Sequence, residues 1–363
     1  MGENPAMPSE QEFEEARAQF PVLDRTAYLN AGSMGPLART TGEAMRAEVD
    51  RDVLDGRSGT RYIERMLELR AELRRRLGAL VSAEPEQVAL TGSTTDGCNI
   101  VLAALDLGPD DEVVTTTDEH FGLIGPAHAS GARVVVVPPD ADRIGEAVTA
   151  RTRLVAVSQV LWTTGQLLPV RELRERTGLP ILVDGAQSVG AVPVSAEGLD
   201  FLTISGQKWL AGPDSTGALV VADPERLRVA RPSYFSRREH DPDGSFAPWP
   251  GARRFEHCWL ATGSLTGLLA ALDTRPSWAF ERAAEMAERF RARLGDEGVD
   301  VIVPEQRATL VSWRVRDEAP ADVVARLAAA EVVVRDLPGT DLARASVGWW
   351  TSDQDLDRLV DGL

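Results

Sequence analysis

Ser205-Gly206-Gln207-Lys208-Trp209-Leu210-Ala211-Gly212-Pro213 carries the only lysine of the chain. The sequence holds 39 lysines and arginines, so every other basic side chain is an arginine. GC-rich coding drifts from lysine to arginine and accounts for the missing lysines. It does not account for one survivor in a glycine-rich, tryptophan-flanked turn. On a solvated surface arginine serves as well as lysine. The two differ where chemistry needs a primary amine. A guanidinium keeps its proton, whereas a partly buried ammonium shifts its pKa and can form a Schiff base. Lys208 is therefore the candidate for a covalent imine.

The chain of 363 residues has room for a large domain and a smaller one. Its 43% hydrophobic and 26% charged content is that of a globular protein. A net charge of −17 argues against nucleic acid or an anionic membrane as the main partner. The opening MGENPAMPSEQEFEEA is acidic and lacks the apolar run of a signal peptide. No stretch reads as a membrane span, so a cytoplasmic protein is expected. Cys98 and Cys258 form no disulfide framework or zinc motif. Glu119, His120 and His128 can be pictured as a metal site, but the four histidines show no ligand spacing, and no metal is expected.

Residues 1–20 read as a short helix behind a mobile leader, and Thr41–Leu80 as one helical stretch. Apolar runs then alternate with amphipathic stretches. The strand-like runs are EQVALTG (86–92), DEVVTTT (111–117), ARVVVVP (132–138), TRLVAVSQV (152–160), PILVDGA (180–186), DFLTISG (200–206) and GALVVADP (217–224). Continuous Val/Ile/Leu runs separated by helices imply a parallel sheet buried on both faces. Ligands sit at the carboxyl ends of such strands. Residues 225–258 are polar and rich in Pro and Gly, and read as a functional loop or partner-facing surface. A helix at SLTGLLAALD, a long helix over 280–297, three strands (VDVIVP, TLVSWRV, VVVRDLP) and a last helix, SDQDLDRLVDGL, complete a small α+β unit.

An imine-forming lysine in such a sheet suggests pyridoxal phosphate (PLP). Its ring nitrogen stays protonated only beside a carboxylate. Asp184 ends an apolar strand. It either caps the next turn or pairs with that pyridinium, and Lys208 at the end of the following strand favours the pair. The phosphate needs backbone N–H groups at a helix start and small hydroxyls. LTGSTTDGCN offers both through Thr94 and Thr95, although an ordinary N-cap reads the same way. Ser205 and Gln207 are further donors. His120 is a candidate for stacking on the ring, or a structural histidine. An amino-acid carboxylate calls for arginine. Arg335 and Arg344 lie in the last strand region, but composition cannot select among so many arginines.

These residues together resemble the class V aminotransferase group of fold-type I PLP enzymes, which includes cysteine desulfurases and C–S lyases. The motifs are YLNAGSMGP, GSTTDGCNIVLAAL, DEHFGLI, VSQVLWTTGQLLPV, LVDGAQSVG, SGQKWLAGPDSTGALVV, RRFEHCWLATGSLTGLLAAL and RASVGWWTSDQDLDRLVDGL, which span Tyr28 to nearly the C-terminus. LWTTGQLLP, KWLAGP and GLLAAL are most similar to the cystine C–S lyase branch. The resemblance implies a large domain with a mainly parallel seven-stranded sheet sandwiched by helices, plus a small C-terminal α+β domain. It implies an N-terminal segment over 1–24 packing on the small domain, the large domain over 25–260 and the small one over 261–363.

It also implies roles. Lys208 binds PLP and shuttles protons, Asp184 pairs with the pyridine nitrogen and His120 stacks on the ring. Gln187, one helical step past Asp184, lies near the phenolic oxygen, as does Gln159. Thr95, Ser205 and Gln207, with Thr94 beside them, bind the phosphate. Arg344 binds the substrate carboxylate with Arg335 in support, under the loop of Ala31 and Gly32. Members are homodimers, and a neighbour's loop, here near Trp259–Gly263, reaches the phosphate. Trp259 stands where a small hydroxylated residue is common, and Gln207 where many members have histidine. Desulfurases carry a nucleophilic cysteine in the small domain. Here that region reads VRDLPGTDLARAS and has none.

The reading that follows is β-elimination from cysteine, cystine or an S-substituted cysteine, giving pyruvate, ammonia and a sulfur product. A sulfoxide lyase is one variant. The alternative is an aminotransferase or epimerase on an amino acid of specialised metabolism. A non-catalytic scaffold would not need the lysine. A dehydrogenase would show GxGxxG after its first strand, which is absent here, as is a P-loop.

Overall fold

The computed structural model describes residues 7–363; the expected mobile leader falls partly in 1–6, outside the described residues. A first helix, α1 (Glu10–Arg17), is closed by a Ser9–Glu12 capping box. It leads into β1 (Ala27–Tyr28). The stretch read as one helix from 41 to 80 is two, α2 (Arg39–Asp55) and α3 (Gly59–Leu80). Gly56 and Gly59 both have φ of +80°, which no helix continues through.

The large sheet is built from β2 (Val88–Thr91), β3 (Glu112–Thr116), β4 (Arg133–Val137), β5 (Thr152–Ser158), β6 (Ile181–Asp184), β7 (Phe201–Ser205) and β8 (Gly217–Val221). Between them run α4 (Thr94–Ala104), α5 (Phe121–Ala129), α6 (Ala141–Glu146) and α7 (Val170–Thr177). The seven strands lie in the order β2-β8-β7-β6-β5-β3-β4. β8 runs antiparallel to both neighbours and the other pairings are parallel, so the sheet is mainly parallel, as expected. Successive strand residues face opposite cores. Leu154, Ala156 and Leu182 pack with Ile100 and Leu123 on one face. Val155, Val157 and Val183 pack with Leu73, Leu77 and Leu173 on the other. A strand buried on both sides reads as a continuous apolar run for this reason. Removing one such anchor, as in Leu73→Ala, costs about 2–5 kcal/mol.

The polar 225–258 segment is not structureless. It holds a small hairpin, β9 (Arg237–His240) with β10 (Phe246–Pro248), and a 3-10 turn over Ala252–Phe255. Then come α8 (Thr262–Thr274), α9 (Ala279–Asp296), β11 (Val301–Ile302), β12 (Leu310–Arg314), α10 (Pro320–Ala329), β13 (Val332–Val333), β14 (Arg335–Asp336), β15 (Leu342–Ser346) and α11 (Asp353–Gly362). The smaller sheet has the order β11-β12-β15-β14, with β13 paired to β1 instead. VDVIVP and VVVRDLP thus contribute only two-residue strands.

Leu265 and Leu268 of α8 belong to the core of the large sheet. We therefore draw the division between the layers after α8 rather than at residue 261. Ala27 and Leu29 lie in the small-layer core. Arg17 bonds Asp355 at 2.9 Å, and Phe20 packs on Trp349 and Trp350. Among the described residues no helix is long and apolar enough to cross a membrane.

Candidate active site

Four strands of the large sheet deliver polar residues to one place. β6 ends at Asp184, β5 at Ser158 just before Gln159, β7 at Ser205 just before the Lys208 turn, and β3 leads into Glu119 and His120. Ser158, Asp184 and Thr203 are lateral neighbours across β5, β6 and β7.

The Lys208 turn is held by its own backbone. Ala211 N donates to Lys208 O at 3.0 Å and Gly212 N to Gly206 O at 2.9 Å. Gly35 N donates to Gln207 O at 2.7 Å. A Cβ on Gly35 would lie 2.1 Å from Lys208 O, so only glycine lets the N-terminal loop rest on the lysine turn. Lys208 keeps some accessible surface at the bottom of this recess. Burial pushes its amine down to about 8, with the charges of Arg344 and Arg335 acting the same way and Asp184 opposing.

Asp184 is only 3% exposed. Its Oδ1 accepts from Ala186 N at 2.9 Å and from Thr203 Oγ1 at 3.3 Å, so it does cap the next turn. These donors are neutral. Among the described residues no arginine or histidine pairs with this buried carboxylate. A protonated pyridine is the partner that such an opening suits.

His120 caps α5, its Nδ1 accepting from Gly122 N at 3.0 Å, and its ring meets Trp162 edge-on at 5.5 Å. Its pKa is lowered, by burial first and then by Lys208, with Arg335 and Arg344 adding to the fall and Asp184 opposing it. The charges of Lys208, Asp184, Arg335 and Arg344 therefore all reach the His120 ring. α4 begins at Thr94 behind its N-cap Ser93, and its internal bonds start only with Gly97 N to Ser93 O. The N–H groups of Thr94 and Thr95 are therefore outside the helix ladder, as an anion site requires. Ser205 Oγ donates to Gln207 Oε1 at 2.8 Å, which leaves the Gln207 amide N–H groups for another acceptor.

Arg344 is fully buried. Its Nη1 donates to Trp162 O at 2.6 Å, while Nε and Nη2 have no acceptor. Burial, then the charge of Arg335, pushes it down to about 9. Arg335 stands directly opposite on β14, half-buried, reaching Ser33 Oγ at 3.0 Å. Two like charges opposed across a ladder without a carboxylate repel each other, and an anion between them would relieve that repulsion. Gly32 lies against it, since a Cβ there would sit 2.8 Å from Arg344 Nη2 and from Ser346 Oγ. Ala31 beside it is fully buried.

One expectation needs correction. Gln187 lies in a turn, not a helical step past Asp184. Its Nε2 donates to Gly32 O at 2.8 Å and its Oε1 accepts from Trp209 Nε1 at 2.9 Å. It therefore braces the 31–35 loop against the lysine turn. Gln159 instead holds a buried Oε1 with no partner. Glu119 joins no metal cluster with His120 and His128. Its carboxylate accepts from Thr116 Oγ1 (2.9 Å), Ser158 N (2.9 Å) and Ser158 Oγ (2.5 Å). Burial pushes it up to about 7 against those bonds, with Asp184 adding to the rise. Asp96, His257 and Cys258 come together instead, with His257 Nε2 2.9 Å from Asp96 Oδ1. Sequence reading missed the bracing by Glu119 and the contacts of Trp162. The one local signal for Glu119 was its place just before His120.

The fold and this recess define a fold-type I PLP-dependent enzyme. Residues 43–359 match the sequence profile of the aminotransferase class-V family, and the chain belongs to that family. It is 29% identical to an isopenicillin N epimerase of Streptomyces clavuligerus, over 97% of this chain and 98% of that protein. It is 30% identical to a probable cysteine desulfurase of Halalkalibacterium halodurans, over 78% of each. Solved structures of C-DES are also similar, both at 26% identity. A C-DES mutant with glycine covalently linked to the PLP cofactor superposes with a TM-score of 0.89 over 98% of each chain. A complex of the cystine C–S lyase C-DES with its product cysteine persulfide gives 0.87, over 94% of this chain and 98% of that one. The protein is thus a class V PLP enzyme of the cysteine desulfurase and C–S lyase type.

Proposed function

We propose that the protein is a C–S lyase. It eliminates the sulfur substituent of cystine, cysteine or an S-substituted cysteine and leaves pyruvate and ammonia. One observation carries the choice: the site has an amine and two arginines without an acidic partner, and the nearby thiol, Cys98, is fully buried beside Thr203 and Asp184 with burial raising its pKa. Cys98 is buried in α4, and Cys258 sits outside the small layer with burial pushing its thiol up to about 11. A desulfurase needs a thiolate to take the sulfur. An elimination does not.

Lys208 holds the cofactor. Asp184 keeps the ring nitrogen protonated, and His120 covers the ring face. Thr94, Thr95, Ser205 and Gln207 hold the phosphate, with Gln159 toward the ring oxygen. When bound, PLP supplies a conjugated ring that takes up the electron pair left at the substrate Cα. Arg344 takes the substrate carboxylate on Nε and Nη2, and Arg335 supports it. With the cofactor and substrate bound, Lys208 Nζ would accept the Cα proton. The Cβ–S bond then breaks, sulfur leaves with the bonding pair, and water releases ammonia from the three-carbon product. The Ala31–Gly35 loop, braced by Gln187, screens the site from water.

We further propose a homodimer in the cytoplasm. Val53, Leu54 and Trp259 are exposed at 76%, 83% and 52%. Val53 lines a surface hollow with Ala261, Thr262 and Gly263, and these exposed apolar side chains suit a second copy, with Trp259–Gly263 reaching its phosphate site. Two free cysteines suit a reducing compartment. The epimerase relative favours a second reading, transamination or inversion at Cα. Product analysis decides between them. Pyruvate formed from cystine at a rate indifferent to 2-oxoglutarate supports the lyase. Glutamate formed only with 2-oxoglutarate, or inversion at Cα without pyruvate, replaces it.

A further inference from the structure

Glu119 is buried, and its carboxylate bonds Thr116 and Ser158. The β3–β5 ladder ends at Val114 and Val155. Beyond it, Thr116 on β3 and Ser158 on β5 have no ladder bond to join them. Glu119 fills that gap. One oxygen accepts from Thr116 Oγ1 and Ser158 N, and the other from Ser158 Oγ. A carboxylate is the side chain that accepts all three without donating any.

The two residues that follow these contacts matter most. His120 comes directly after Glu119, and Gln159 directly after Ser158. Ser158 lies beside Asp184 in the β5–β6 register, and Gln159 N donates to Asp184 O at 3.2 Å. A line of contacts therefore runs from the His120 turn through Glu119 and Ser158 to Gln159 and Asp184. We propose that Glu119 is a positioning residue that ties the two strand ends together, so that His120 and Gln159 hold a fixed spacing around the cofactor. This rests on the ring-facing roles given above to those two residues.

The test compares wild-type holoprotein with Glu119→Ala, Glu119→Gln, Ser158→Ala and, as a control, His120→Ala. The readouts are the PLP dissociation constant, the visible circular dichroism of the bound cofactor, and kcat and KM for cystine. Alanine at 119 leaves three donors without an acceptor. PLP should bind about tenfold more weakly and kcat should fall about tenfold, with KM within about twofold and a diminished dichroic band. Glutamine can still accept at one oxygen, with the Ser158 hydroxyl reversed, and should restore every readout to within about threefold. Ser158→Ala removes one contact, should cost about threefold, and decides the matter if Glu119→Ala does not fold.

Unchanged PLP affinity, dichroism and kcat in Glu119→Ala overturn the proposal, whatever the melting temperature does. The control separates the two assignments. If His120→Ala disturbs the band and Glu119→Ala does not, the positioning role fails. If neither does, both fall.

Discussion

Arg70 and Arg344 are both almost completely buried, at 1% and 0% exposure, yet their surroundings are opposite. Arg70, on α3, puts Nε and Nη2 on Glu256 at 2.9 and 2.6 Å. Arg74 joins the same carboxylate at 2.7 Å, Leu90 N adds a fourth contact, and the Arg70 guanidinium lies 4.2 Å from the Phe235 ring centre. Arg70 keeps one unused nitrogen, Nη1, but its charge is matched by Glu256, and the cluster fastens the 225–258 segment to α3 and β2. Arg344 has one carbonyl, no carboxylate and two unused nitrogens, with a second arginine opposite. Burying a charge without a partner is expensive, and folding alone gives no reason to do it. The difference separates a buried cation whose charge is matched within the fold from one whose charge is not.

The comparison can be pressed hardest at Lys208, the other buried cation facing the recess. Lys208→Arg keeps the charge and removes the amine. It should abolish the visible absorption of bound PLP and cut kcat by at least about a thousandfold, with the fold intact by circular dichroism. Next comes the arginine pair itself. Arg344→Met should lower kcat/KM about a hundredfold, while the melting temperature stays level or rises because an uncompensated charge is gone. Arg70→Met should do the reverse. It should remove about 3–5 kcal/mol of stability by unbalancing Glu256, with kcat per folded molecule within about twofold. Equal loss of stability in both variants would erase the distinction.

The smallest effect is in pH. Only the neutral amine of Lys208 can capture PLP, and its proton is released near 8 rather than at the ordinary lysine value of 10.5. The rate at which apoprotein takes up PLP, followed by absorbance, should rise about tenfold per pH unit below 8 and level off above it. A rise that continues toward 10.5 would mean that the lysine is not recessed.

Much of this was legible before the structure. Lys208 was singled out by composition, and Asp184 by its place at the end of ILVD. The sheet followed from apolar runs of strand length. Other features are set by tertiary packing and leave no local mark. Strand direction is one: GALVV reads the same whichever way β8 runs. The break between α2 and α3 rests on two glycines inside an otherwise helical pattern. The bonds of Gln187 to Gly32 and Trp209 left no local mark, because those partners lie 155 and 22 residues away. Among so many arginines only resemblance pointed to Arg344, whereas in three dimensions its lack of an acidic partner sets it apart from Arg70. The bracing by Glu119 was missed because its partners, Thr116 and Ser158, lie on two different strands.

The central claim is elimination at Lys208 without any protein thiol. The most direct test is the ratio of pyruvate to alanine formed from cystine and cysteine by the holoprotein, with a Cys98→Ala/Cys258→Ala variant alongside. The expected result is pyruvate with almost no alanine, and the same rate in the variant lacking both cysteines. Alanine as the main product, lost with the cysteines, would mean that a protein thiol takes the sulfur, and would contradict the account.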